Sequence, residues 1–147
     1  MKTRVMKKMI IGFYLLTISA LAFSQTDSAK TITVEVHNVI VNGGTVQISL
    51  FTSKEAYKKK QPDKTIKCEP VGSVIKAKIA VPAGDCVIDA YQDCNGNGKC
   101  DKNFVGSPKE PIGITNWDGK GIPGGFDKLK VCITEETKVI SINLYQL

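Results

Sequence analysis

The strongest constraint on this chain is a hydrophobic period of two, kept up over short runs with no sustained stretch at the helical spacing of 3.6. In "TITVEVHNV", Ile32, Val34 and Val36 point one way and Thr33, Glu35 and His37 the other. "TVQISLF" repeats the pattern with Val46, Ile48 and Leu50, and "SVIKAKIAV" repeats it with Ile75, Ala77 and Ile79 between Lys76 and Lys78. In "DCVIDAYQD", Cys86, Ile88 and Ala90 lie opposite Asp85 and Asp89. Two later runs, "FDKLKVCIT" and "KVISINLYQ", alternate on either side of a polar turn at Glu135–Glu136. Successive side chains of a strand face opposite sides, so such runs predict strands with one buried and one wet face. Asn42-Gly43 is a two-residue hairpin signal, because both positions tolerate the positive φ that a type I′ turn needs. Pro82–Gly84 marks another turn, and a short helical turn fits Glu55–Lys60. The expectation is an all-β chain: an antiparallel β-sandwich, Ig-like or transthyretin-like in its Greek key, of six to seven strands with one long Gly/Pro-rich loop.

The first residues are read separately. "MKTRVMKK" is basic, and "MIIGFYLLTISALAF" is apolar and closes on small residues, the pattern of a signal peptide. The run is short for a spanning helix. Residues 1–24 are therefore expected to be a signal peptide cut after Ser24, with a cut after Ala22 as the alternative. Residues 25–147 are expected to be a single domain in the periplasm or outside the cell. No second apolar run of spanning length follows, so no membrane span is expected in the mature chain. About 123 residues suffice for a core without help from a metal or disulfide. Lys2, Arg4, Lys7 and Lys8 leave with the leader. Sixteen of the 20 basic residues then face 14 acidic ones, a net charge of +2. That is too little to indicate nucleic acid as a partner. All five cysteines lie in the exported part, where disulfides are expected and an odd count leaves at least one thiol over.

Alternation stops between Asp93 and Gly125. This stretch holds eight of the 13 glycines and three of the 6 prolines, the composition of a true loop that something must hold in place. At its start stands "DCNGNGKCD". Calcium takes six to eight hard oxygens, and a loop with carboxylates or amides at positions 1, 3 and 5, glycine at 6, a carbonyl at 7 and an acid at 9 curls them round one point. Those positions are Asp93, Asn95, Asn97, Gly98, Lys99 (through its carbonyl) and Asp101. Position 12 is Phe104, where an EF-hand needs a glutamate, so a further ligand must come from elsewhere: Glu110 first, Asp118 second. A structural Ca²⁺ is the expected cofactor. Cys94 and Cys100 occupy positions 2 and 8, where a disulfide would pre-bend the loop. Cys68–Cys100 and Cys68–Cys132 are rival pairings. Cys86, on an inward-facing position, is the expected free thiol.

The long composite of "VPAGDCVIDAYQD", "DCNGNGKCDKNFVGSPKEPIGITN" and "GIPGGFDKLKV" resembles a family of secreted bacterial proteins, domain of unknown function 2141. The resemblance covers nearly the whole mature chain. Its loop motif falls on Asp93, Asn95, Asn97, Gly98, Lys99 and Asp101, and its following segment on Gly106, Pro108, Glu110, Gly113, Thr115 and Asn116. This chain departs in several places. Cys86 and Val87 replace Tyr-Ala, Gln92 stands where a histidine is usual, Thr115 replaces serine, and Cys94 and Cys100 are additions. The resemblance implies a β-sandwich and export, and it supplies no activity.

Three functions are consistent with these features. The first is a non-enzymatic binding or structural module held by calcium. Its ligand surface would be formed by Asn116, Trp117 and Asp118 and directed at a glycan or a cell-envelope protein, unless Trp117 simply plugs its loop onto the sheets. The second is a carbohydrate-active hydrolase using Asp89 or Asp93 with Glu110. His37, the sole histidine, lies on a polar strand face, which leaves a Ser-His or Cys-His system without a base. The third is a cell-envelope structural protein without a small ligand. A non-enzymatic role is the preferred expectation.

Overall fold

The computed structural model describes residues 29–147; the leader, with its expected cut, lies outside them. The elements follow in the order β1 Lys30–His37, β2 Thr45–Phe51, α1 Lys54–Lys59, β3 Lys64–Cys68, β4 Val74–Val81, β5 Gly84–Asp93, β6 Ile112–Ile114, α2 Phe126–Leu129, β7 Val131–Ile133 and β8 Val139–Asn143. They form two sheets. One is ordered β4-β1-β8; the other is ordered β3-β2-β5-β6, with β7 also on β5. The described residues thus hold eight strands rather than six to seven. Every pairing is antiparallel except β1 with β8, which is parallel.

The expected inward residues do meet. Ile32, Val34 and Val36 of β1, Ile75, Ala77 and Ile79 of β4, Val46, Ile48 and Leu50 of β2, and Cys86, Ile88 and Ala90 of β5 share one buried cluster. The opposite face of β1 is wet: Lys76 of β4 reaches Glu35 at 2.7 Å, and that ammonium, by its hydrogen bond above all, lowers the Glu35 pKa.

The reversals read as hairpins are crossings between sheets. β1 and β2 do not pair, although Asn42 has the positive φ of 57° that its turn signal predicts. The reason lies upstream. Asn38 is also left-handed, at φ 60°, so β1 stops at His37, and a seven-residue connection replaces a two-residue loop. The buried Gln92 side chain takes up the strand bonds this connection would lack. Its Oε1 accepts from Ile40 N at 2.9 Å, and its Nε2 donates to Ile40 O at 2.7 Å and Gly44 O at 3.3 Å. Gly44 must be glycine, since a Cβ there would lie 2.0 Å from the Asp93 carbonyl oxygen. β4 and β5 likewise belong to different sheets, although Pro82–Gly84 turns the chain between them.

Three further differences concern local structure. α1 forms where a helical turn was expected, capped by Ser53 Oγ accepting from Ala56 N at 3.1 Å. β3 arises from "KTIKC", which carries little alternation and is set by pairing along β2. "FDKL" is a helical turn, not a strand: Phe126 and Leu129, three apart, are both buried, and Lys130 N donates to Phe126 O at 2.9 Å.

Candidate functional site

The outer face of the second sheet is not wet. Val87 of β5 joins Phe51, Tyr57, Ile112, Ile114, Trp117, Phe126 and Leu129 in a second buried cluster, with Tyr91 packed against it. The covering comes from α1, α2 and the 93–125 segment, which contains a strand after all: β6 pairs Ile112, Gly113 and Ile114 with Tyr91, Ala90 and Asp89. Gly113 sits so close to β8 that a Cβ would meet Asn143 O at 2.3 Å. Tyr145, just past β8, exchanges backbone bonds with Ile112 and ties this layer to the chain end.

The cover is incomplete, and an open groove of about 600 Å³ remains over β2, β5 and β6. Its floor carries Gln47, Ser49, Asp89 and Tyr91; Phe51, Tyr57, Ile112 and Ile114 are among its apolar walls, and Lys60, Lys102 and Ile122 stand at its margin. Ser49 is the direct strand partner of Asp89. Burial raises the Asp89 pKa from 3.8 to about 6, against the lowering effect of Lys60 and of a hydrogen bond from Ser49. The Lys60 ammonium lies 3.9 Å from the Tyr57 ring centroid, and its own pKa is lowered by burial. Cys100 also lines the groove, where burial pushes its thiol up to about 11, so it is a poor nucleophile near neutral pH.

The 93–101 loop adjoins the groove, which it lines through Cys100. Tyr91 donates its hydroxyl to Gly98 O at 3.2 Å and so joins the floor to the loop. The loop is closed by its own side chains. Asp93 Oδ1 accepts from Asn97 N at 3.1 Å and Oδ2 from Gly98 N at 2.7 Å. Asn95 and Asn97 accept from backbone N–H groups two residues on and donate their amides to Asp101 Oδ2 at 2.7 and 2.8 Å. Glu110, 4% exposed, fastens both ends: Oε1 accepts from Cys94 N at 3.0 Å and Oε2 from Asp101 N at 3.2 Å. The structure therefore brings Asp93, Asn95, Asn97, Asp101 and Glu110 to one loop. Among the described residues, no three His, Cys, Asp or Glu side chains come together as a metal cage would need. The oxygen chemistry of Asp93, Asn95, Asn97, Asp101 and Glu110 suits calcium in kind; the Asp93 and Glu110 oxygens each also accept a backbone amide and keep a second lone pair.

The remaining expected residues sit elsewhere. Trp117 is buried at 9% exposure, edge-on to Tyr145 with ring centroids 5.6 Å apart, and its Nε1 donates to Lys120 O at 3.2 Å. Asn116 and Asp118 are exposed but serve the backbone: Asn116 Nδ2 donates to Lys130 O, and Asp118 Oδ1 accepts from Lys120 N. Trp117 is thus the plug of its loop. The expected Cys94–Cys100 bridge is not formed, since all five cysteines are free. Cys86 is buried, as its inward position predicted, and Cys132 is exposed. Of the carboxylates expected to serve hydrolysis, only Asp89 lines the groove; Asp93 and Glu110 each accept two backbone amides in the loop beside it.

Sequence reasoning missed Ser49, Lys60 and Tyr91 and took Asp89 for a solvent-facing residue. The signal was present in β5 itself, where Val87 and Tyr91 share the face of Asp89. A face reading Val-Asp-Tyr is not a wet one.

No curated protein and no solved structure matches this chain. The family model described as "Uncharacterized protein conserved in bacteria (DUF2141)" matches residues 34–141, a span that takes in strands of both sheets, the 93–101 loop and the groove. The chain belongs to the DUF2141 family of proteins conserved in bacteria.

Proposed function

We propose that this protein is an exported, non-enzymatic binding module that holds a glycan in the groove over the second sheet. The observation that carries this reading is the floor of that groove. Asp89, Ser49 and Gln47 offer a carboxylate, a hydroxyl and an amide beside Tyr57 and Tyr91. Sugar rings present hydroxyls at their edges and apolar C–H faces, and this is the mixture that meets both. We read the two sheets as a Greek-key sandwich of the Ig-like or transthyretin-like kind, with export supported by the leader pattern of residues 1–24.

In the same reading the 93–101 loop takes a structural Ca²⁺ through Asp93, Asn95, Asn97, the Lys99 carbonyl and Asp101, and Glu110 acts as the clamp beneath. Bound calcium would supply a fixed positive centre that holds the loop beside the groove. In an oxidising compartment, Cys94 and Cys100 would close the same loop covalently.

Two measurements test this. Amide chemical shifts of the mature chain, titrated with soluble peptidoglycan disaccharide and with cello-oligosaccharides, should move at Ser49, Lys60, Asp89 and Tyr91. No movement there with any of these sugars would defeat the glycan reading. Free calcium at about tenfold above Kd should stabilise the fold by about 1.4 kcal/mol, and Asp101→Asn should remove the gain. An unfolding curve identical in calcium and in chelator would defeat the metal reading and leave the groove standing.

A further inference from the structure

The net charge of the mature chain is small, but it is unevenly placed. Lys58, Lys59 and Lys60 end α1, Lys102 leads into the 102–108 turn, and Lys120 precedes Ile122. None of the five has a carboxylate within ion-pair distance among the described residues, whereas Lys54, Lys76 and Lys130 do. Lys60, Lys102 and Ile122 line one groove, so the three segments meet at its mouth.

Two of these segments also carry large apolar side chains that nothing covers. Phe104 is 100% exposed, Val105 70% and Ile122 92%. A single exposed hydrophobe needs no explanation, but three at the tips of two loops flanking one groove form a surface that does. The first tip is rigid. Asn103 Oδ1 accepts from Val105 N and Ser107 N, Asn103 N donates to Ser107 O at 2.8 Å, and Lys102 bridges to Pro108. Phe104 and Val105 are thereby held outward by a pre-formed turn, and little ordering cost remains for whatever they meet. Of the acidic groups nearby, Asp127 is paired with Lys54, Asp101 accepts two side-chain amides and Asp118 the Lys120 amide, while Asp89 on the groove floor attracts Lys60 alone among the five lysines.

Protruding aromatic and aliphatic tips above a girdle of unpaired lysines match an interface whose outer layer is anionic and whose inner layer is apolar. We propose that the mouth of the groove docks on an anionic lipid bilayer, with Phe104, Val105 and Ile122 entering the headgroup region while Lys58–Lys60, Lys102 and Lys120 meet phosphates. The lysine stems lie along the same apolar layer and keep their ammonium groups at the surface. Docking of this kind rests on the rim and not the floor of the groove, and it shares only Lys60 with the glycan reading.

Co-sedimentation tests the proposal, using protein purified after leader cleavage. The probes are vesicles of phosphatidylglycerol mixed with phosphatidylcholine, vesicles of phosphatidylcholine alone, and soluble poly-glutamate. Binding is expected to the mixed vesicles only, weakening about tenfold as salt rises from low to high ionic strength. The double variant F104S/I122S changes only exposed side chains, so its circular dichroism should match the parent, and it should lose at least about tenfold in partitioning. K102E should weaken binding without abolishing it. Equal or no binding to the two vesicle types would overturn the proposal, as would undiminished binding by F104S/I122S. Capture by poly-glutamate without vesicle binding would assign the rim to an acidic protein and overturn it as well.

Discussion

The two apolar clusters of this molecule are built from different kinds of sequence. The cluster between the sheets draws on the alternating faces of β1, β2, β4 and β5. The cluster outside the second sheet draws on Phe51, the α1 tyrosine, the three-residue β6, the Trp117 loop and a one-turn helix. The first is a repeated solution in which every second residue contributes. The second is assembled from single residues whose neighbours have other tasks, and there the groove, Asp89 and the 93–101 loop all lie. Regular pairing fixes the frame, and the irregular cover leaves room for a site.

That contrast can be put to measurement. Ile88→Ala, at a fully buried position of the inner cluster, should cost about 3–4 kcal/mol in denaturant unfolding. Leu129→Ala, equally buried but in the outer cover, should cost less, about 2 kcal/mol, because a one-turn helix can settle into the gap. Hydrogen exchange should then quicken around β6 and α2 and leave β1 and β4 protected. Equal losses with uniform exchange would show that both clusters unfold as one unit.

Glu110→Ala should cost about 1–2 kcal/mol, since two part-buried amides lose a charged acceptor, and resonances of 94–101 should broaden. Asp89 acts in the opposite sense. Its folded pKa of about 6 lies above the ordinary 3.8, so the folded state holds the proton more tightly. Stability from this group is full below about pH 4 and is lost as pH rises through about 6. Asp89→Asn should therefore stabilise the protein by about 1–2 kcal/mol at pH 7, with no gain at pH 4. Equal effects at both pH values would mean that the side chain matters by shape and not by charge. On the wet face of the first sheet, Lys76→Ala should leave the unfolding curve where it is, because exposed ion pairs contribute little.

The inner cluster was legible in the sequence because alternation is a local property. Ile32, Val34 and Val36 could be assigned a common face without knowing which strand they would meet. Pairing was not legible. Asn42-Gly43 announced a turn correctly, but whether its flanks pair depends on Asn38, two strands of other sheets and a glutamine fifty residues away. β6 was hidden for a related reason: "IGI" is too short to show a period, and it is a strand only because β5 offers it an edge. For the loop, the spacing of Asp93, Asn95, Asn97 and Asp101 marks a tight turn, in which the Asn95 and Asn97 amides meet Asp101 while Asp93, and from outside the loop Glu110, take backbone amides. The spacing could not tell that the Glu110 carboxylate would face amides. For Trp117 the sequence leaves a ligand surface and a plug both open, and the ring settles on the second by packing on Tyr145.

Gln92 has a wider bearing. An imidazole at this position would, near neutrality, exchange an acceptor for a second donor. Ile40 presents both an N–H and a carbonyl to this side chain, so its partner must offer one group of each kind at every acidity. A carboxamide does so without titrating. The seam that carries the chain from one sheet to the other is thus indifferent to mild acid or alkali.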